Sequence, residues 1–126
     1  MIGERKEKFD GQTVDEVIAG HIDELKRDGI AFAGIVGMGR YDFEFSGDEL
    51  IEFVRRWVTA MLEAGAKPVE GGGGTRYTWI EQPQYGSTTN EIVGNVIAEW
   101  QAKGDPDHGG LWFASPRFQH IGRPAE

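Results

Sequence analysis

Residues 30–45 read IAFAGIVGMGRYDFEF, and the way this stretch divides decides the fold. Ile30–Gly37 is a mostly apolar run with the length and composition of a buried strand. Tyr41, Phe43 and Phe45 alternate with Asp42 and Glu44, which puts aromatics on one face of an extended segment and carboxylates on the other. One strand covering both would be about 50 Å long at ~3.3 Å per residue, too long for a domain of this size. The spacing therefore predicts a hairpin turning at Gly37-Met38-Gly39, where glycine supplies the positive φ of a tight turn.

Helical grammar surrounds that hairpin. In Ser46–Gly65, Leu50, Ile51, Val54, Trp57, Val58, Met61 and Leu62 recur at helical spacing and form one broad apolar stripe. Ser46 with Glu49 has the capping-box pattern, and Gly65 is the stop. The pattern occurs twice more. Thr13 with Glu16 opens a helix with Val14, Val17, Ile18, Ile22 and Leu25 on one face, and Gly29 is its expected left-handed end. Thr88 with Glu91 opens another, with Ile92, Val93, Val96, Ile97 and Trp100 inward and Gly104 as the stop. Each cap is worth about 1 kcal/mol.

The remaining strands follow from what lies between. Ala66–Glu70 is a short strand, placed at a sheet edge because Pro68 cannot donate to a ladder. Gly71–Gly74 leads as a loop into Arg76–Glu81, where Tyr77 and Trp79 share a face. Leu111–Ala114 is a further strand, and Arg117–Ile121 folds back after Ser115-Pro116. The expected fold is a single-domain α+β two-layer sandwich. Three helices pack on a mainly antiparallel sheet, with ferredoxin-like βαββαβ order from Tyr41 to Ala114 plus an extra N-terminal helix and strand. Residues 1–12 are read as a mobile N-terminal arm and residues 13–126 as one α+β domain.

With 126 residues the chain is long enough to bury a core without staples, and the absence of cysteine excludes disulfides and thiolate chemistry. No apolar segment of signal-peptide or membrane-spanning length is present, so a soluble, cytoplasmic protein with no membrane partner is expected. A net charge of -8, spread along the chain, repels phosphate backbones and argues against nucleic acid. It suits a basic protein partner or a cationic ligand better.

No residue constellation commits to a chemistry. Glycines 34, 37 and 39 have the wrong order for a dinucleotide fingerprint, and Gly71–Gly74 lead into a strand, not the helix a phosphate cradle needs. The serines fit caps and turns, and His21 sits at the edge of an apolar stripe. The best ligand chemistry is Asp105, Asp107 and His108, with His120 as the one available helper for a divalent cation. Arg40, Tyr41, Arg76, Tyr77 and Trp79 are candidates for an aromatic-lined pocket between sheet and helices, beneath the glycine loop. Phe113 and Phe118, hard to bury together, are candidates for a protein or dimer interface. No cofactor is implied. The leading expectation is a non-enzymatic protein-interaction or regulatory domain, with a homodimer through the sheet as one form of it. The alternative is a small-molecule binder or simple enzyme, and divalent-metal binding comes third.

Overall fold

The computed structural model describes residues 2–124. After a 3-10 turn at Ile2–Glu4, the elements in chain order are α1 (Val14–Ile22), β1 (Ile30–Ala31), α2 (Phe32–Gly37), α3 (Gly47–Glu63), β2 (Lys67–Gly71), β3 (Trp79–Glu81), α4 (Thr89–Lys103), β4 (Trp112–Ala114) and β5 (Ile121–Gly122). A small α+β domain results, with four α-helices and a five-stranded mixed sheet among the described residues. The strand order is β1-β4-β2-β3-β5; every pairing is antiparallel except β3 with β5.

Two of the three expected caps form as capping boxes. Thr13 Oγ1 accepts from the Glu16 amide at 3.1 Å while Glu16 accepts from the Thr13 amide at 3.0 Å. Thr88 and Glu91 repeat the exchange at 3.2 and 3.1 Å. Ser46 occupies the N-cap of α3 in extended conformation, yet its side chain caps nothing. Glu49 is drawn away by Arg5, whose Nη1 donates to it at 2.8 Å. Gly65 and Gly104 end α3 and α4 with φ of +99° and +87°. Gly29 has no such role, because α1 runs on as a 3-10 turn over Asp23–Lys26. Gly29 is instead a point of close approach: a Cβ there would lie 2.8 Å from the Trp79 ring.

The expected hairpin over residues 30–45 does not exist. Only Ile30 and Ala31 are extended; Phe32–Gly37 is α2, and Met38–Asp42 continues it as a π-helical turn. Phe32, Ile35, Val36 and Gly39 are buried, at the i, i+3, i+4, i+7 spacing of one helical face. Gly39 is a packing residue, since a Cβ there would fall 2.7 Å from both Leu50 and the Phe53 ring of α3. Phe43 and Phe45 are buried and stacked, with centroids 5.4 Å apart and planes within 8°. Glu44 between them takes φ of +58°, in the left-handed region that a non-glycine residue rarely adopts. Tyr41 does not join them; it is 63% exposed.

Without a strand at Tyr41–Phe45 the βαββαβ order loses its first member, and β4 separates β1 from β2. Pro68, expected at an edge, lies in the central strand β2. Backbone parity explains how. Gln82 donates to Pro68 O at 2.9 Å, so the missing N–H faces β3 at the last rung of that ladder, and the bonds to β4 come from Lys67 and Val69. One half of one terminal pair is lost.

The main core lies between the helices and one sheet face. Phe53, Val54, Trp57, Val58 and Met61 of α3 meet Val14 and Val17 of α1, Val93 and Val96 of α4, and Phe113 of β4. Val69, Trp79 and Ala114 form a second, smaller cluster on the opposite face, flanked by Trp112 and Ile121.

The segment expected as a mobile arm is hydrogen-bonded to this body. Val14 donates to Arg5 O at 2.9 Å and Lys8 to Asp42 O at 3.0 Å. Glu7, almost fully covered, accepts from the amides of Phe9, Asp10 and Gln12 at 3.1, 2.7 and 3.3 Å. The hydrogen bond from the Asp10 carboxyl, with these amides, holds Glu7 at about 2; the same bond raises Asp10.

This packing sets three measurable outcomes. Gly39→Ala is expected to lower unfolding free energy by about 1–3 kcal/mol in urea titrations, because the Phe53 ring cannot give way freely. Glu44→Gly is expected to raise it by up to ~1 kcal/mol by relieving left-handed strain. Because its folded pKa is depressed, Glu7 contributes stability above its unfolded value, and this is lost as pH falls through about 2. Amide exchange at Phe9, Asp10 and Gln12 should therefore stay slow well into the acid range; release near the ordinary carboxylate pKa would contradict the bonding described.

Candidate functional site

A cleft of about 470 Å³ opens beside the C-terminal half of α4. That volume falls within the range of small-ligand pockets. Val96, Glu99, Trp100 and Lys103 of α4 form one wall, Glu70 of β2 another, and the 104–111 loop closes one end. Phe32, Tyr85 and Trp100 lie at its floor, each less than a tenth exposed.

Local sequence explains the placement of each group. Pro83 starts a 3-10 turn, Pro83–Tyr85, and Gly86 at φ of +124° swings the chain into α4. Tyr85 is thereby folded back against the helix. Its hydroxyl donates to Glu99 at 2.6 Å, and its carbonyl accepts from Asn95 Nδ2 at 2.7 Å. Burial, reinforced by the Glu99 carboxylate, pushes the Tyr85 phenol well above its ordinary value. Phe32, at the start of α2, meets Trp100 edge-to-face at 6.0 Å.

Gly104 ends α4 and returns the chain over the Trp100 indole. Trp100 Nε1 donates to Asp105 at 3.3 Å, and Arg40 donates to the other oxygen of the same carboxylate. The Arg40 bond, followed by the Trp100 bond, holds Asp105 below the usual carboxylate range. Asp105 is thus a structural clamp between the turn after α2 and the end of α4. Glu99 carries Lys103 at 3.6 Å on its second oxygen, and Lys103 is 76% exposed. Glu70 and Asp107 make no ion pair among the described residues. An aromatic floor beneath converging carboxylates suits an organic cation, which gains from ring faces and from opposite charge.

The structure separates most of the residues singled out in the sequence. Asp105 and Asp107 line the cleft, but His108 is exposed and contributes its backbone carbonyl to Trp112 Nε1 at 2.9 Å. His120 lies elsewhere, 5.0 Å from the Tyr77 ring. Among the described residues no group of three or more His, Asp or Glu side chains is placed to hold a metal ion. Arg40 is engaged at Asp105, while Arg76 and Tyr77 lie in the β2–β3 hairpin. Trp79 is buried in the second cluster, with Nε1 unpartnered. Phe113, expected at an interface, is fully buried 6.4 Å from Phe32. Phe118 remains 45% exposed beneath the Arg117 guanidinium. His21 has one nitrogen on Glu24 at 2.6 Å and its ring against Trp57.

Sequence reasoning missed Phe32, Glu70, Tyr85 and Glu99. These four come from α2, β2, the Pro83–Tyr85 turn and α4, and no local spacing joins them.

The raised phenol makes Tyr85 a reporter. A group whose folded pKa is raised contributes stability that is complete below the unfolded value and lost as pH climbs through the folded one. Phenolate absorbance should show a late alkaline step that Tyr85→Phe removes; a titration unchanged by the substitution would contradict the Tyr85–Glu99 bond. No family model matches this chain, and neither a curated protein nor a solved structure matches it.

Proposed function

We propose that this is a non-enzymatic recognition domain that takes a cationic group into the cleft between α4, β2 and the 104–111 loop. The supporting observation is the arrangement itself: Phe32, Tyr85 and Trp100 floor a concave site whose mouth carries Glu70, Glu99 and Asp107. A lysine or arginine side chain of a basic protein segment fits it. The alkyl stem lies on the rings and the charged head reaches the carboxylates. The chain's net charge of -8 steers such a partner toward it. A dimer through the sheet has less support, because Phe113, half of the apolar pair that suggested it, belongs to the core.

Lys103 sharpens the reading. Its ammonium already sits against Glu99 from the exposed rim, so an incoming cation competes with it. Titration with a hexalysine peptide is expected to change Trp fluorescence saturably, whereas hexaglutamate should not. Glu70→Gln with Glu99→Gln should weaken binding about tenfold or more, since each removes a charge-assisted contact while the new amide oxygen beside Tyr85 can still accept from its hydroxyl. Lys103→Ala should tighten it. Spermidine and arginine methyl ester provide the small-molecule arm: if they bind as tightly as the peptide, the ligand is a free organic cation. Equal response to both peptides, or binding indifferent to the Glu70 and Glu99 substitutions, overturns the proposal.

A further inference from the structure

On the other side of the sheet lies a second concavity, where the chain's charge reverses sign. A recess of about 480 Å³ is lined by Arg76, Tyr77, Ile121, Gly122 and Arg123, with the His120 ring tilted against Tyr77, centroids 5.0 Å apart, at its border. Both arginines are exposed, and neither makes an ion pair among the described residues. Four of the other six arginines do: Arg5, Arg27, Arg40 and Arg56 each face a carboxylate.

The backbone holds this recess in shape. The glycine loop after β2 is tied by Thr75. Its amide and hydroxyl both donate to Gly72 O, at 3.0 and 2.6 Å, and its Oγ1 accepts from the Tyr77 amide at 3.1 Å. A side chain at Gly72 would run into Tyr77 O. Tyr77 is therefore delivered at a fixed point and lies flat on the backbone of β5, where a Cβ on Gly122 would collide with the ring. The Arg76 guanidinium is stationed in turn. It stands 5.1 Å from the Tyr77 ring centroid and donates through Nη2 to the Tyr77 hydroxyl at 2.9 Å. That bond uses one of its five N–H groups, leaving a preorganised fork turned to solvent. Arg123 lines the same recess from the strand end beyond Gly122.

Two exposed guanidinium groups lining one recess of an otherwise acidic protein repel each other, and an anion between them relieves that repulsion. We infer that this recess is an oxyanion-binding site, taking a phosphate or carboxylate group between Arg76 and Arg123 with Tyr77 as its platform. Bidentate contact with planar or tetrahedral oxygens is the geometry guanidinium serves best. The inference is independent of the cation cleft, which shares none of these residues. A long nucleic acid is disfavoured, because its backbone would have to continue over the acidic remainder of the surface.

The test is an amide NMR titration with inorganic phosphate, repeated with acetate, at ionic strength held constant with chloride. Saturable shifts confined to Arg76, Tyr77, His120, Gly122 and Arg123 are expected, and the tighter of the two anions identifies the class. Arg76→Ala and Arg123→Ala should each weaken binding about tenfold, whereas Arg55→Ala should leave it unchanged. Chemical-shift dispersion like that of the parent protein checks that the variants fold. Linear shifts without saturation, identical shifts with chloride alone, or undiminished binding in the double variant overturn the inference.

Discussion

Gly39 rests against Leu50 and Phe53 of α3 with no room for a methyl group, and the helical side of the domain depends on that contact. It sets how closely the α2 segment approaches α3. That distance in turn lets Phe43, Phe45, Phe53 and Trp57 close into one run of ring contacts, with neighbouring centroids between 5.3 and 5.7 Å apart. The left-handed residue at Glu44 is the local strain that this ring cluster sustains. With α2 fixed, Phe32 is carried to Trp100 and Arg40 to Asp105. The floor and the closed end of the cation cleft are therefore set by packing on the far side of α2. Site and core are linked through one short helix.

The division between what could and could not be read in the sequence follows the range of the interactions. The Thr13–Glu16 and Thr88–Glu91 boxes and the glycine ends at Gly65 and Gly104 appear where their spacing places them, because each is closed within a few residues. The Ser46–Glu49 box does not form, and the Glu49 carboxylate pairs instead with a distant residue, Arg5. IAFAGIVGMGRYDFEF misleads for a related reason. A short apolar run serves strand and helix alike, and its glycines point to turns when considered alone. Their true reason, the proximity of Leu50 and Phe53, is tertiary. Pro68 teaches the same lesson in reverse: a central strand accepts proline where parity aims the missing N–H at the last rung of a ladder, so that only half of one terminal pair is lost.

The two candidate sites differ in how they could have been found. Arg76, Tyr77 and His120 stand out in the sequence as residue types, but only the structure joins them to Arg123 and separates them from Arg40 and Tyr41. The cation cleft had no local signature. Its carboxylates are scattered among many others in an acidic chain, and Trp100 reads equally well as core. Both sites lie at the boundaries of regular elements, where glycine turns at Gly72, Gly86 and Gly104 re-aim the chain.

The ends of the sheet have a further consequence. Its outermost strands, β1 and β5, are two residues each, and β1 passes at once into α2. A strand that short offers another molecule almost no row of free backbone donors and acceptors. The longer strands, where pairing with a stranger would be sustained, are enclosed between neighbours. For a chain with as much aromatic surface near its sheet as this one, that arrangement limits edge-to-edge aggregation, a protection that acts before net charge has any part in it.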